Sequence, residues 1–120
     1  MTKDPADLLP LSPVAFEILL TLASGDRHGY HIMQDVEART AGAMTLHPGT
    51  LYRALARLLE QDLIEERPAA RARTGTADDR RRPFRLTPFG RAVAEAEAAR
   101  LESQVRRARR QRLLGHGRRA

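Results

Sequence analysis

The chain has 120 residues, about one domain's worth, and 42% of them are apolar, enough for one modest core. Lysine and arginine number 21 against 15 aspartates and glutamates, a net charge of +6, and the absence of cysteine excludes a disulfide framework or a thiolate-held metal. No apolar run approaches the roughly 18 residues of a membrane span, the start lacks the basic-then-apolar order of a secretory signal, which points to the cytoplasm, and five aromatic residues without tryptophan argue against an aromatic RNA platform.

The opening stretch, MTKDPADLLPL, is short and partly apolar. Ser12-Pro13 then gives a capping hydroxyl followed by a proline suited to the first helical position. The helix this predicts, about 13–24, carries Val14, Phe16, Ile18, Leu19, Leu20 and Leu22 around nearly its whole circumference, as in a helix covered on two sides. One side is the core; the other calls for a second chain. Ser24-Gly25-Asp26 turns the chain into a second helix, about 28–40, with Gly29, Ile32, Met33 and Val36 on one face. Ala41-Gly42 ends it, and Met44-Thr45-Leu46 is expected as a short strand.

Pro48 opens a third helix, about 48–61, whose inner stripe is Leu51, Leu55, Leu58 and Leu59. At 100° per residue, Thr50, Arg53 and Arg57 fall on the opposite face. Asp62 stands just past its end, where an aspartate can take the left-handed conformation. Residues 63–67 and Phe84-Arg85-Leu86 alternate as two strands around a loop, 68–82, of Ala, Arg, Gly, Thr and Asp. Thr87-Pro88 repeats the cap-then-proline signal and starts a last helix, about 88–114. Its residues Ala94, Ala98, Leu101, Val105 and Ala108 step by four and three, a heptad-type seam too small-sided to stand alone in water and so a second sign of a dimer. The final GHGRRA is expected to fray. These boundaries give a body over 1–87, a dimerisation helix over 88–114 and a disordered tail over 115–120.

Charge is segregated along this plan. Residues 1–66 are net −5, 67–85 are net +5, 86–99 are net −1 and 100–120 are net +7, with 20 arginines and a single lysine in all. An acidic body with two basic blocks reads either as two contact surfaces or as solubilising charge. The arginines at 106, 107, 109, 110 and 112 either flank a subunit seam or form a basic arm for DNA.

Three helices followed by a two-stranded hairpin is the order of a winged helix, in which the third helix enters the major groove and the hairpin tip rides the backbone. The fold class is therefore mostly α: a winged helix-turn-helix domain followed by a long C-terminal helix. Thr50 and Arg53 are placed to reach DNA, and the loop offers Arg71, Arg73, Arg80, Arg81 and Arg82 to phosphates.

The segments LSPVAFEILLTLASGDRHGYHIMQDVEART, HPGTLYRALARLLEQDLIEE and RRRPFRLTPFGR resemble PadR-type transcriptional regulators, in a short form with one C-terminal helix. The resemblance covers about residues 11–91, and HGY, PGTLY and LTPFGR are its specific parts. It implies a homodimeric repressor that binds double-stranded operator DNA and is modulated by a small hydrophobic or aromatic effector at the dimer interface. Tyr30 and Tyr52 join the DNA-contact candidates, the alternative for each being packing with its hydroxyl at the rim. Departures are His47, where a small capping residue is usual and which stands at the helix mouth facing DNA, Arg53 in place of a common proline, and Asp62 in place of glycine. The lack of tryptophan removes one way of stacking a flat drug between subunits.

The expected DNA-binding set is thus Tyr30, His47, Thr50, Tyr52, Arg53, Arg57, Arg71, Arg73, Arg80, Arg81 and Arg82. The expected dimer and effector surface is Phe16, Leu19, Leu22, Leu101 and Val105, with an operator presenting half-sites roughly one turn, ~34 Å, apart. His28, His31 and Asp35 share a helix face at metal-ligand spacing, but His28, with Gly29, belongs to the HGY segment and serves the turn and helix start, and no metal or other cofactor is expected. Scarce serine, no cysteine nucleophile and no evident acid pair argue against an enzyme. The rival readings are an effector-independent architectural DNA binder and a protein-interaction module.

Overall fold

The computed structural model describes residues 3–67 and 82–115. A 3₁₀ turn, Pro5–Leu8, leads into α1 (Pro13–Ala23), α2 (Gly29–Arg39), α3 (Pro48–Glu60), β1 (Ile64–Glu66), β2 (Phe84–Leu86) and α4 (Pro88–Arg110). The strands pair antiparallel, with Ile64 opposite Leu86, Glu65 opposite Arg85 and Glu66 opposite Phe84. This is the winged-helix order, three helices and a hairpin, followed by the long helix.

The cap signals act as their chemistry demands. Ser12 Oγ accepts from the Ala15 N–H at 3.1 Å and Thr87 Oγ1 accepts from the Gly90 N–H at 2.8 Å, each with proline at the next position. Three helices stop by one device. Ala41, Asp62 and Arg112 take positive φ (54°, 63° and 62°), and the amides of Gly42, Leu63 and Leu113 reach back to the carbonyls of Glu37, Leu58 and Ala108. This is the Schellman closure, which satisfies the last helical carbonyls. At α3 it also turns Leu63 into the core beside Leu58.

α1 touches α2, α3, α4 and β2, so it is the centre of the packing. Ile18, Leu19 and Leu22 of α1 meet Ile32 and Val36 of α2, the Leu51–Leu55–Leu58 stripe of α3, Leu63, Ile64, Phe84 and Val93. Arg39 fastens α2 to α1: its guanidinium donates to the Glu17 carbonyl (3.0 Å), the Glu17 carboxylate (2.9 Å) and the hydroxyl of the buried Thr21 (2.8 Å).

Two expectations are corrected. Residues 44–46 form no strand. The free edge of the hairpin is taken instead by Arg27, which exchanges both backbone hydrogen bonds with Phe84 (3.1 and 2.8 Å), while the Met44 amide turns back to the Thr40 hydroxyl. The last helix ends at Arg110 rather than near 114, because Arg112 enters the left-handed region and closes it.

Candidate nucleic-acid interface and subunit surface

α3 is strongly two-sided. Leu51, Leu55 and Leu58 are buried, whereas Arg53 and Arg57 are exposed and Thr50 is half-buried. Its N-cap, His47, is exposed and makes no side-chain capping bond, so the first amides of α3 keep no side-chain partner there. The Arg53 guanidinium lies back along the first turn, 3.6 Å from where a Cβ of Gly49 would stand.

The two tyrosines differ. Tyr30, in the first turn of α2, is largely exposed and accepts from the Gln34 amide at 3.3 Å. Tyr52 crosses from α3 to the start of α2, where its hydroxyl rests on Gly29; a Cβ at position 29 would strike that oxygen. The glycine of HGY and the tyrosine of PGTLY are therefore two parts of one contact. It docks the start of the recognition-type helix on the start of α2 while leaving Tyr52 42% exposed. Beside it the rings of His28 and His31 stack at 4.2 Å. Asp35, which shares their face in the sequence, is instead paired with Arg27 at 3.2 Å. Among the described residues no three His, Asp or Glu side chains are grouped to hold a metal.

Of the loop arginines, Arg71, Arg73, Arg80 and Arg81 lie outside the described residues. Arg82 is exposed at the base of the hairpin, 3.5 Å from Glu66. The charges on the hairpin are paired across it or to the body: Arg85 with Glu65 at 3.6 Å, and Arg67 with Asp26 at 3.4 Å.

The expected subunit surface is corrected in part. Leu19 and Leu22 are 0% and 3% exposed inside the protomer's own core, because α1 is wrapped by α2, α3, α4 and β2 and its inward arc takes both leucines. Phe16 and Leu101 are half-buried and Val105 is 42% exposed; Leu20, one turn beyond Phe16, is exposed as well.

The sequence reading also missed a buried acid. Glu97 of α4 is 2% exposed and accepts two hydrogen bonds from Arg100 (2.7 and 3.1 Å) and one from the Leu11 amide (3.2 Å). The Arg100 hydrogen bond holds its carboxyl below the ordinary glutamate range, against the opposing pull of burial, and the Leu11 amide adds to the effect. The i, i+3 spacing of Glu97 and Arg100 was a visible signal of their pairing. The amide 86 residues away was not.

LTPFGR has a structural reason too. The Thr87 hydroxyl donates to the Asp62 carbonyl (2.7 Å), Gly90 lies against the Leu63 carbonyl with no room for a Cβ, and Arg91 donates to the Ala23 carbonyl at the end of α1 (3.3 Å). The motif fixes α4 on the end of α3 and the end of α1 together.

The model of the transcriptional regulator PadR-like family matches residues 18–96. The chain belongs to the PadR-like family. The match takes in the HGY, PGTLY and LTPFGR segments just described. A transcriptional regulator from Clostridium thermocellum superposes with a TM-score of 0.67 at 26% identity, covering 81% of this chain and 87% of that one. A PadR family transcription regulator from Clostridium difficile has the same fold, with a TM-score of 0.66 at 22% identity over 82% of this chain and 97% of that one. An uncharacterized 37.1 kDa protein in a transposon of Streptomyces fradiae is 42% identical over 91 residues, which is 73% of this chain and 24% of that protein. This PadR-like chain thus spans about a quarter of that relative's length. Among the described residues no helix is long and apolar enough to cross a membrane.

Proposed function

We propose that this PadR-like chain is a homodimeric repressor that binds operator DNA through α3 and the hairpin loop. The observation that carries this reading is the two-sidedness of α3. Its leucines are sealed in the core while His47, Thr50, Tyr52 and Arg53 stand along its N-terminal half with at least part of each accessible. That is the half a winged helix presents to base edges and phosphates. Tyr30 flanks it from α2, Arg82 and the loop arginines at 71, 73, 80 and 81 supply sequence-independent attraction, and Arg57 sits one turn further along.

Dimerisation through the outer faces of α1 and α4 is supported by Phe16, Leu20, Leu101 and Val105, apolar side chains that the protomer leaves partly uncovered. A small hydrophobic or aromatic effector held at this seam would act by changing the angle between the two α3 helices.

The test is fluorescence anisotropy with labelled DNA from directly upstream of the reading frame and a scrambled probe, each at two salt concentrations. A preference of about a thousandfold for the native probe is expected. Arg53→Ala is expected to cost about 1–3 kcal/mol against the native probe and little against the scrambled one. Equal, salt-steep binding to both probes would replace the repressor by an architectural binder. Absence of binding at low salt would turn attention to a protein partner.

A further inference from the structure

α4 runs on past the body. Its last buried side chain is Glu97, and from there to Arg110 the helix extends about 20 Å at 1.5 Å per residue. This stretch exposes Arg106, Arg107, Arg109 and Arg110, with Glu102 as its only acid, and no acid follows in the sequence. Arg106–Arg109, Arg107–Arg110 and Arg106–Arg110 are like-charge neighbours at i, i+3 and i, i+4. Each such pair destabilises a helix about as much as one favourable ion pair stabilises it. The gain from the helix dipole is of the same order and fades beyond the last turn. An anion outside the protomer relieves this repulsion.

The arginines divide by face. At 100° per residue, Arg107 and Arg110 lie about 160° and 140° around the axis from Val105, on the side opposite the apolar seam. Arg109 borders the seam, at about 40°. Arg106 is paired with Glu102 at 3.9 Å, and Arg112 stands beyond the helix end at positive φ. A surface that covers Leu101 and Val105 therefore leaves Arg107 and Arg110 outside it. The Arg107 guanidinium is steadied along the helix by donating to the Ser103 hydroxyl at 3.0 Å, which leaves its other N–H groups for a further acceptor. Side chains three apart start about 5–6 Å from one another, and two guanidinium arms so placed can reach neighbouring phosphates.

The same face carries Ala99 and Ser103 and no large apolar side chain. It lacks the aromatic or aliphatic anchor around which a protein interface is built. A phosphate backbone requires only the charge and the guanidinium fork. We propose that Arg107 and Arg110 form a second DNA contact, holding backbone phosphates outside the stretch read by α3, whichever bases lie there. The contact adds affinity and salt dependence without sequence preference. It rests on the reading of this chain as a DNA binder, and it assigns the far end of α4 two roles on two faces: a subunit seam on one and a phosphate contact on the other.

The test compares the full chain with two double variants, Arg107→Gln with Arg110→Gln and Arg107→Lys with Arg110→Lys. Each is titrated into long native and scrambled duplexes over a series of salt concentrations, and its self-association is followed by analytical ultracentrifugation. The glutamine pair is expected to weaken both duplexes alike, by at least about tenfold at low salt, and to lower the slope of log affinity against log salt by about one per arginine removed. The lysine pair is expected to keep the wild-type slope, and both are expected to associate like wild type. An unchanged slope in the glutamine pair, a loss confined to the native duplex, a slope lost equally in the lysine pair, or weakened self-association would each overturn the proposal. Wild type that binds both duplexes equally, with the slope lowered in the glutamine pair, would uphold this contact and overturn only the repressor. Wild type that prefers the native duplex, with the slope unchanged in the glutamine pair, would overturn only this contact. Wild type that binds neither duplex at low salt would overturn both.

Discussion

Along Pro88–Glu97, α4 turns Gly90, Val93 and Glu97 into the body, where all three are buried. Along Leu101–Arg110 it turns Leu101 and Val105 outward and leaves them partly uncovered, with Arg106, Arg107, Arg109 and Arg110 exposed around the same turns. The two halves share one set of backbone hydrogen bonds but not one source of stability. The first is held by packing against Leu63, Phe84 and α1. Among the described residues, the second shows its own ladder and the weak pairs Glu102–Arg106 (3.9 Å) and Ser103–Arg107 (3.0 Å). Exposed pairs of this kind contribute little. A far half that leaves the core while keeping an apolar seam is what the proposed subunit contact would cover.

This comparison is broken most severely at Gly90. Gly90→Ala drives a Cβ into the Leu63 carbonyl, and a backbone atom cannot step aside. The expected loss is about 3 kcal/mol or more in urea unfolding. An unchanged midpoint would mean the first half is not fixed to the body as described. Val105→Asp probes the other half. It is expected to leave protomer stability within about 0.5 kcal/mol and to weaken self-association about a hundredfold in analytical ultracentrifugation. A variant that associates like wild type would remove this seam from the proposed dimer.

Glu97 marks the boundary between the halves. Because Arg100 and the Leu11 amide favour its carboxylate, the folded chain binds that proton more weakly than the unfolded chain does. Its contribution is complete above the ordinary glutamate pKa and is lost as pH falls through the lower folded value. Glu97→Gln is therefore expected to be less stable than wild type near neutrality, with the difference narrowing on acidification. Parallel urea midpoints from pH 7 to pH 3 would show that the carboxylate does not carry the junction. The smallest effect concerns the recognition-type helix. His47→Ser supplies the missing side-chain cap of α3 and is expected to stabilise the chain by up to about 1 kcal/mol. If instead it loses operator affinity, histidine at the helix mouth serves DNA at the expense of the cap.

The local elements were legible because their signals are local. Ser12-Pro13, Thr87-Pro88, the Leu51–Leu55–Leu58 stripe and the alternation at 84–86 each state their own structure through a hydroxyl, a ring or a period. Asp62 is a good example, since its role at the end of α3 needs only its neighbours. The strand expected at 44–46 failed for the opposite reason. Strand pairing is a contest for an edge, and Arg27 holds the edge at Phe84. Leu19 and Leu22 were misplaced because an all-round apolar helix does not declare which neighbours cover which arc.

By itself the sequence determined the order of elements, the caps, the inner stripe of α3 and the family motifs, because each depends on contacts within a few residues. The tertiary structure decided what those motifs are for. It set Gly29 under the Tyr52 hydroxyl and Gly90 against the Leu63 carbonyl, and joined Glu97 to the Leu11 amide. Each of these joins residues at least 23 positions apart. Nothing in local propensity specifies them; they follow from how four helices and a hairpin share one small core.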